Sequence, residues 1–264
     1  MAVIVLAAVV AAGVYLARRA MHPAGQAPAP AMPAAPSSAP AAAAPIRHPI
    51  DRAAAPAAAS TSPLPALADS DASVLSALGA MAGGHDLAAL LTPNQIIPRI
   101  VATVDALPRH TLGRSVLPVR SPAGAFAVAR ADGGATVMDA RNAARYAAYV
   151  QAVQDVDSKA LAAWYVREYP LFQQAYRELG YPKGYFNDRL IAVIDLLLAT
   201  PEPSQPPELT PVKGYYAYAD PSLESLSIGQ KMLLRAGPAG EAAVKAKLRE
   251  LRAQLTGRTL PGAH

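Results

Sequence analysis

The sequence predicts an α+β protein, a predominantly α-helical globular domain with a small β-hairpin or short sheet, behind an N-terminal transmembrane helix and a disordered Ala/Pro-rich linker. Three features lead to this prediction. An uncharged aliphatic run opens the chain, a tract rich in Ala and Pro follows it, and the remainder places its apolar residues mostly at helical spacing. We expect a transmembrane anchor at 1–17, a linker at 18–66, a globular domain at 67–256 and a flexible tail at 257–264.

Composition narrows the class of protein. The chain has 264 residues, of which 52% are hydrophobic and 16% charged, and it contains no cysteine. The missing cysteines exclude disulfides, thiol nucleophiles and thiolate zinc sites. The net charge of +5 comes from the two ends, because residues 1–66 and 236–264 each contribute +3 and the section between them contributes −1. Since the core is electrically balanced, we expect no nucleic-acid partner.

The first 17 residues carry no charged side chain and are followed at once by Arg18 and Arg19. As a helix this run is about 25 Å long, somewhat short of a hydrocarbon core of about 30 Å. We expect an uncleaved anchor in the lipid bilayer of a bacterial inner membrane. A cleaved signal peptide is the alternative, but it requires a basic start and a small-x-small cleavage site. The two arginines favour a cytoplasmic domain by the positive-inside rule, whereas the long tether favours the periplasm, which we expect.

Residues 20–66 consist mostly of Ala and Pro, with scattered Ser, Gly and Thr. Such a segment cannot bury enough side chain to offset the entropy of ordering it, and its prolines prevent a helix. We expect an extended spacer that reaches on the order of 100 Å when taut. His22 and His48 lie within it and are interpreted as solvated side chains.

The first half of the domain begins with a helix of about eleven residues after Asp69 and Ser70, followed by a second helix. Thr92 is the expected N-cap of this second helix, which should end near Leu107. Short β-like segments then occupy 115–119, 125–129 and 135–138. The last two are joined by Ala131, Asp132, Gly133 and Gly134, which is a hairpin signal.

The second half returns to helix. Asp139 and Asp157 are the expected caps of two helices that end near Val153 and Leu179, with a bend at Pro170 in the second. The remaining elements are predicted as a helix at 185–199, a Pro-rich loop at 201–211, a strand at 213–219, short helices at 221–226 and 227–236, and a last helix at 241–255 capped by Gly257.

Two runs in this half resemble a known family: YPLFQQAYRELGYPKGYFNDRLIAVIDLLLATPEP, starting at Tyr169, and YAYADPSLESLSIGQKMLLRAGP, starting at Tyr216. They are similar to the bacterial domain of unknown function 3014, and the resemblance extends roughly from Leu64 to Leu255. It implies the same layout of anchor, tether and domain, and placement in the cell envelope. It implies no catalytic residues.

The common catalytic motifs are missing from the sequence. There is no G-x-S-x-G elbow, no S-x-x-K pair and no Gly-rich phosphate loop. His85 and His110 are far apart in the chain and each stands alone, so we expect no metal and no cofactor.

A cluster of polar and aromatic residues surrounds the predicted turn before helix 185–199. We select as candidate binding residues Tyr176, Tyr181, Tyr185, Asn187, Asp188 and Arg189. Asp188 and Asp195 share a face of that helix about 10 Å apart, so a carboxylate pair for acid–base chemistry is one interpretation. The structural alternative places Asp188 at a favourable helix N-terminus and Asp195 in an ion pair.

The missing catalytic motifs and the tether together predict a non-catalytic, membrane-tethered interaction module of the cell envelope. Its unknown partner would be an envelope protein or a glycan. The alternative is an envelope hydrolase that acts on glycan or peptide through Asp188 and Asp195.

Overall fold

The structure, a computed structural model, describes residues 45–50, 63–81, 87–113 and 116–256. The predicted anchor, most of the predicted linker and the predicted tail lie outside these ranges. Among the residues described, no helix is both long enough and apolar enough to cross a bilayer.

The described residues form a mostly helical α+β domain with two small antiparallel hairpins. The mostly helical α+β class agrees with the prediction. The helices are α1 Asp71–Ala80, α2 Leu87–Leu90, α3 Ile96–Ala106, α4 Arg141–Asp155, α5 Ser158–Glu178, α6 Phe186–Leu198, α7 Pro221–Glu224, α8 Ile228–Arg235 and α9 Gly237–Thr256. The strands are β1 Val128–Arg130, β2 Thr136–Met138, β3 Leu209–Val212 and β4 Tyr215–Tyr218.

The core lies between the longer helices. α9 packs against α4, α5 and α6, and α3 packs against α5 and α6. The apolar stripe of α3 is fully buried there, and it comprises Ile96, Ile97, Ile100, Val101 and Val104. Each such side chain contributes about 1.5–3 kcal/mol relative to an exposed one, so this short helix is anchored mainly by tertiary packing.

The start of α3 differs from the prediction. The helix begins at Ile96, so its N-cap residue is Gln95 and not Thr92, whose amide donates to the carbonyl of Pro118 at 2.8 Å. The capping role passes to Asp71 of α1, whose carboxylate accepts from the amides of Gln95 at 2.7 Å and Ile96 at 2.8 Å. A carboxylate from a different helix therefore satisfies two of the amides at the start of α3.

The β structure confirms one hairpin and adds another. β1 pairs with β2 across the predicted turn, with Ala129 opposite Val137. β3 pairs with β4, so the predicted loop at 201–211 is wrong over its last three residues. Both residues of the β3–β4 turn have positive φ, 36° at Lys213 and 90° at Gly214, as in the tight turns that match strand twist.

Two further boundaries also differ. The predicted strand at 115–119 is reduced, within the described residues, to a bridge between Leu91 and Val119. α9 begins at Gly237, four residues earlier than predicted. Asp157 caps α5 as predicted, by accepting from the Ala160 amide at 2.6 Å, and α5 continues through Pro170.

Glu168 on α5 leads to a pH-dependent prediction. Its side chain is buried, its Oε2 atom has no hydrogen-bond partner among the described residues, and burial raises its pKa above the usual value. A carboxyl whose pKa is raised in the folded state stabilises the protein below its unfolded pKa, and this contribution is lost as pH rises through the folded value. We therefore expect Glu168→Gln to be more stable than the native protein by about 1 kcal/mol at pH 7, with the difference vanishing near pH 4.

Urea unfolding at a series of pH values measures this difference. Glu178→Gln, at the exposed end of the same helix, is the matched control and should change the free energy of unfolding by less than about 0.5 kcal/mol. A constant difference for Glu168→Gln across the pH range would contradict the prediction.

Candidate functional site

The turn between α5 and α6 is fixed by a helix C-terminal motif. Gly180 has φ 115°, its amide donates to the Arg177 carbonyl at 3.1 Å, and the Tyr181 amide donates to the Tyr176 carbonyl at 3.3 Å. This pair of bonds is a Schellman motif, in which the residue after the glycine contacts the helix. That contact is the stack of Tyr181 on Tyr176, with ring centroids 4.6 Å apart.

Gln173 of α5 sets the position at which α6 begins. Its Oε1 accepts from the Phe186 amide at 2.9 Å, and its Nε2 donates to the Gly184 carbonyl at 2.8 Å. Phe186 then stacks on Phe172 with a centroid separation of 5.7 Å. The first turn of α6 is thereby held against α5 by hydrogen bonds and by aromatic packing.

Asn187, in that first turn, is held in one orientation. It is only 1% exposed, and its Oδ1 accepts from the Tyr165 hydroxyl at 3.3 Å. Burial raises the pKa of Tyr165 well above its usual value, so this hydroxyl remains a donor throughout the physiological range. Because Oδ1 is occupied in this way, the amide Nδ2 of Asn187 is available as a donor on the other side.

The side chains of Asn187 and Asp188, which we call the clamp, hold the main chain of residues 45–50, which we call the docked segment. Asp188 accepts from the Arg47 amide at 3.0 Å and from the His48 amide at 2.7 Å, one to each oxygen. Asn187 Nδ2 donates to the His48 carbonyl at 2.8 Å. These three hydrogen bonds use main-chain atoms of the docked segment, which any peptide presents.

The C-terminal end of the docked segment adds an apolar contact. Ile50 is partly buried and packs against the main core, whereas Ile46 is 45% exposed. Pro49 stands between the bound carbonyl and this isoleucine. A residue that precedes proline is kept out of the helical region, which restricts His48 to few conformations. The segment was expected to be a solvated spacer, and its contact with the domain is a finding of the structure.

Tyr181 and Arg189 belong to a different cluster, centred on Asp105 at the end of α3. The Asp105 carboxylate, 2% exposed, accepts from the Tyr181 hydroxyl at 3.1 Å and lies 3.1 Å from Arg189 Nη2. Arg109 pairs with the same carboxylate. Tyr176 is also buried, beneath its stack with Tyr181. Three of the predicted binding residues, Tyr176, Tyr181 and Arg189, therefore hold α3, α5 and α6 together. The predicted residue Tyr185 is half-buried and lies immediately before α6.

The two carboxylates of the hydrolase alternative are engaged separately. Asp195 forms a two-pronged ion pair with Arg252 of α9, at 2.5 Å and 3.3 Å. Asp188 is occupied by the two amides of the docked segment. A general acid and a general base must both reach one substrate. The arrangement gives that chemistry no support.

A pocket of about 310 Å³ lies elsewhere, between the end of β2, the loop 202–207 and the first turn of α9. None of the predicted site residues lines it. Glu241 does, but its carboxylate is taken up by the buried Lys245, whose Nζ lies 2.8 Å from Oε1. Among the residues that the structure describes, no group of three or more His, Asp or Glu could hold a metal ion.

The sequence predicts both clamp residues as binding residues but does not identify the segment that they bind. The available signal was a break in composition, because Ile46 and Ile50 are the only isoleucines of the predicted linker and they flank the adjacent Arg47 and His48. The sequence also does not predict the contacts of Gln173, Tyr165 and Asp105. These residues have no distinctive spacing, and their roles depend on contacts between helices.

Comparison with known proteins identifies a family but no relative of known function. A family model described as "Protein of unknown function (DUF3014)" matches residues 96–252, which is more than half of the chain. This range extends from the first residue of α3 into the last turn of α9, so it includes the clamp and excludes the docked segment. No curated protein and no solved structure matches the chain.

Proposed function

We propose that this chain, which belongs to the DUF3014 family of proteins of unknown function, is a non-catalytic interaction module that binds a short peptide segment of a partner at the clamp. The single observation behind the proposal is that Asn187 and Asp188 bind the main chain at Arg47 and His48. A peptide fits this site better than a glycan does, since adjacent amide donors and a nearby carbonyl are what the clamp accommodates.

The energetics favour a weak and exchangeable complex. Two hydrogen bonds to a carboxylate contribute about 1.5–3 kcal/mol each and the third about 1 kcal/mol. Ordering each residue of the peptide costs about 1–2 kcal/mol. For a segment of this length the two contributions are similar in size, so binding is marginal unless the peptide adds apolar contacts or is tethered nearby.

The expected placement of the module remains part of the proposal. Residues 1–17 would hold it in the inner membrane, with the domain in the periplasm and an envelope protein as the partner. The uncharged aliphatic composition of residues 1–17 and the Ala/Pro tract that follows support this placement. A periplasm-only reporter enzyme fused to the C-terminus tests the orientation, and a reporter inactive in intact cells would argue against export.

Asp188→Ala should release the docked segment in the full chain. The substitution removes both acceptors for the Arg47 and His48 amides, so their hydrogen exchange should accelerate at least tenfold. Amide exchange resolved to single residues, by NMR or by mass spectrometry with electron-transfer fragmentation, is the measurement.

Asp132→Ala provides the control, because it removes an exposed carboxylate from the turn between β1 and β2 and should leave those amides unchanged. Unprotected amides at 47 and 48 in the native chain, or protection that survives Asp188→Ala, would refute the clamp.

A further inference from the structure

We infer that the docked segment is a competitor built into the chain, which occupies the clamp until a partner peptide of matching chemistry displaces it. The matching chemistry is a proline directly after the residue whose carbonyl is bound, followed by an aliphatic residue. This inference rests on the proposed function and adds to it the class of ligand and the regulation of the site.

The ligand pattern follows from what each position of the docked segment contacts. Arg47 and His48 are held through main-chain atoms, and Arg47 is exposed, so these two positions tolerate many side chains. Pro49 limits the conformations of the residue before it and lowers the entropy lost on binding. Ile50 packs against the core, so the position after the proline should select an aliphatic side chain.

The competition follows from the connection between the docked segment and the domain. Twelve residues, 51–62, separate Ile50 from Pro63 in the sequence. A tether of this length keeps the segment near the clamp at an effective concentration of about a millimolar or more. A peptide that binds only weakly when free can therefore be docked for most of the time when it is attached.

Docking of the segment raises the apparent dissociation constant of a partner peptide. A partner binds only the fraction of molecules whose clamp is open, and its apparent dissociation constant increases by the reciprocal of that fraction. A segment docked for about nine-tenths of the time weakens the partner about tenfold. Removing the segment should restore that factor without any change in the clamp.

The experiment uses the full chain and a full-length variant in which residues 46–50 become Gly-Ser-Gly-Ser-Gly. The probe is a fluorescein-labelled synthetic peptide with the sequence of residues 44–51, APIRHPID, titrated in fluorescence anisotropy. We expect the variant to bind the probe about tenfold more tightly than the native chain does. A probe carrying Ala in place of the isoleucine at position 50 should bind the variant at least fivefold more weakly.

The outcomes separate the two proposals. Equal affinity of the native chain and the variant would overturn the competition and leave the peptide site standing. No binding to either, or binding to the variant that survives Asp188→Ala, would overturn the proposed function itself. A concentration-dependent dimer of the native chain that the Gly-Ser replacement abolishes would show that the segment docks on a second copy, which also overturns competition within one chain.

Discussion

Replacing Asp105 with alanine should lower the free energy of unfolding by about 3 kcal/mol. The carboxylate is 2% exposed and accepts from Tyr181, pairs with Arg189 and pairs with Arg109. Without this carboxylate, the half-buried Arg189 has no anion to pair with at the buried end of α3. Removing the buried member of an ion pair is costly, because the charge of its partner is left without a counter-charge. Urea unfolding at pH 7 with a common m-value measures the loss.

Arg109, the other arginine that pairs with Asp105, provides the control. The Arg109 side chain is 57% exposed, so Arg109→Ala removes a solvated partner and should cost less than about 1 kcal/mol. Tyr181→Phe should cost about 1 kcal/mol, since it removes one hydrogen bond and keeps the stacked ring. If Asp105→Ala cost no more than Arg109→Ala, the Asp105 cluster would not stabilise the contact between α3 and α6.

This contrast decides how Tyr181 and Arg189 should be used as probes of function. Both were candidate binding residues by sequence, yet both are committed to Asp105. A loss of partner binding in Tyr181→Ala would therefore report a disturbed α3–α6 contact as readily as a lost ligand contact. Asp188 is the better probe, because its carboxylate faces the docked segment.

Much of the fold was predictable because helical periodicity is local. The apolar spacing of 96–104 and of 185–199 predicts α3 and α6, and the end of α3 and both ends of α6 lie close to the predicted positions. The start of α3 was not predictable, since Asp71, 24 residues before Gln95, supplies the cap. β3 was hidden among prolines, and only its register against Tyr215–Tyr218 identifies it as a strand.

Of the site, only the clamp was predictable, because its two residues are neighbours in the sequence. A helix N-terminus with Asn and Asp side chains is visible in the sequence, and it indicates that polar groups will be bound there. The segment that they bind lies about 140 residues away in the chain, and no periodicity links the two. In a tract composed mostly of Ala and Pro, the interruption at 46–50 is the signal of docking.

The second large effect on the free energy of unfolding is expected at the buried Lys245. It is 2% exposed, and its ammonium donates to the Thr200 carbonyl and to Glu202, both at 2.6 Å, and lies 2.8 Å from Glu241 Oε1. Lys245→Met should cost about 3–5 kcal/mol at neutral pH, because Glu241 would be left buried without a counter-charge. Chemical denaturation at pH 7.5 provides the measurement.

The dependence of this cost on pH identifies its source. Burial raises the pKa of Glu241 and Lys245 opposes that rise, so the variant should have a still higher folded-state pKa at this carboxyl. A raised folded pKa means that stability is lost as pH rises through it, so the penalty at pH 7.5 should shrink markedly near pH 4.5. Adding Glu241→Gln to Lys245→Met should recover most of the loss at pH 7.5, whereas Glu202→Ala alone, with a side chain 63% exposed, should cost under about 1 kcal/mol. A penalty independent of pH, or one that Glu241→Gln fails to relieve, would mean that lost packing around the lysine stem, and not an uncompensated carboxylate, sets the cost.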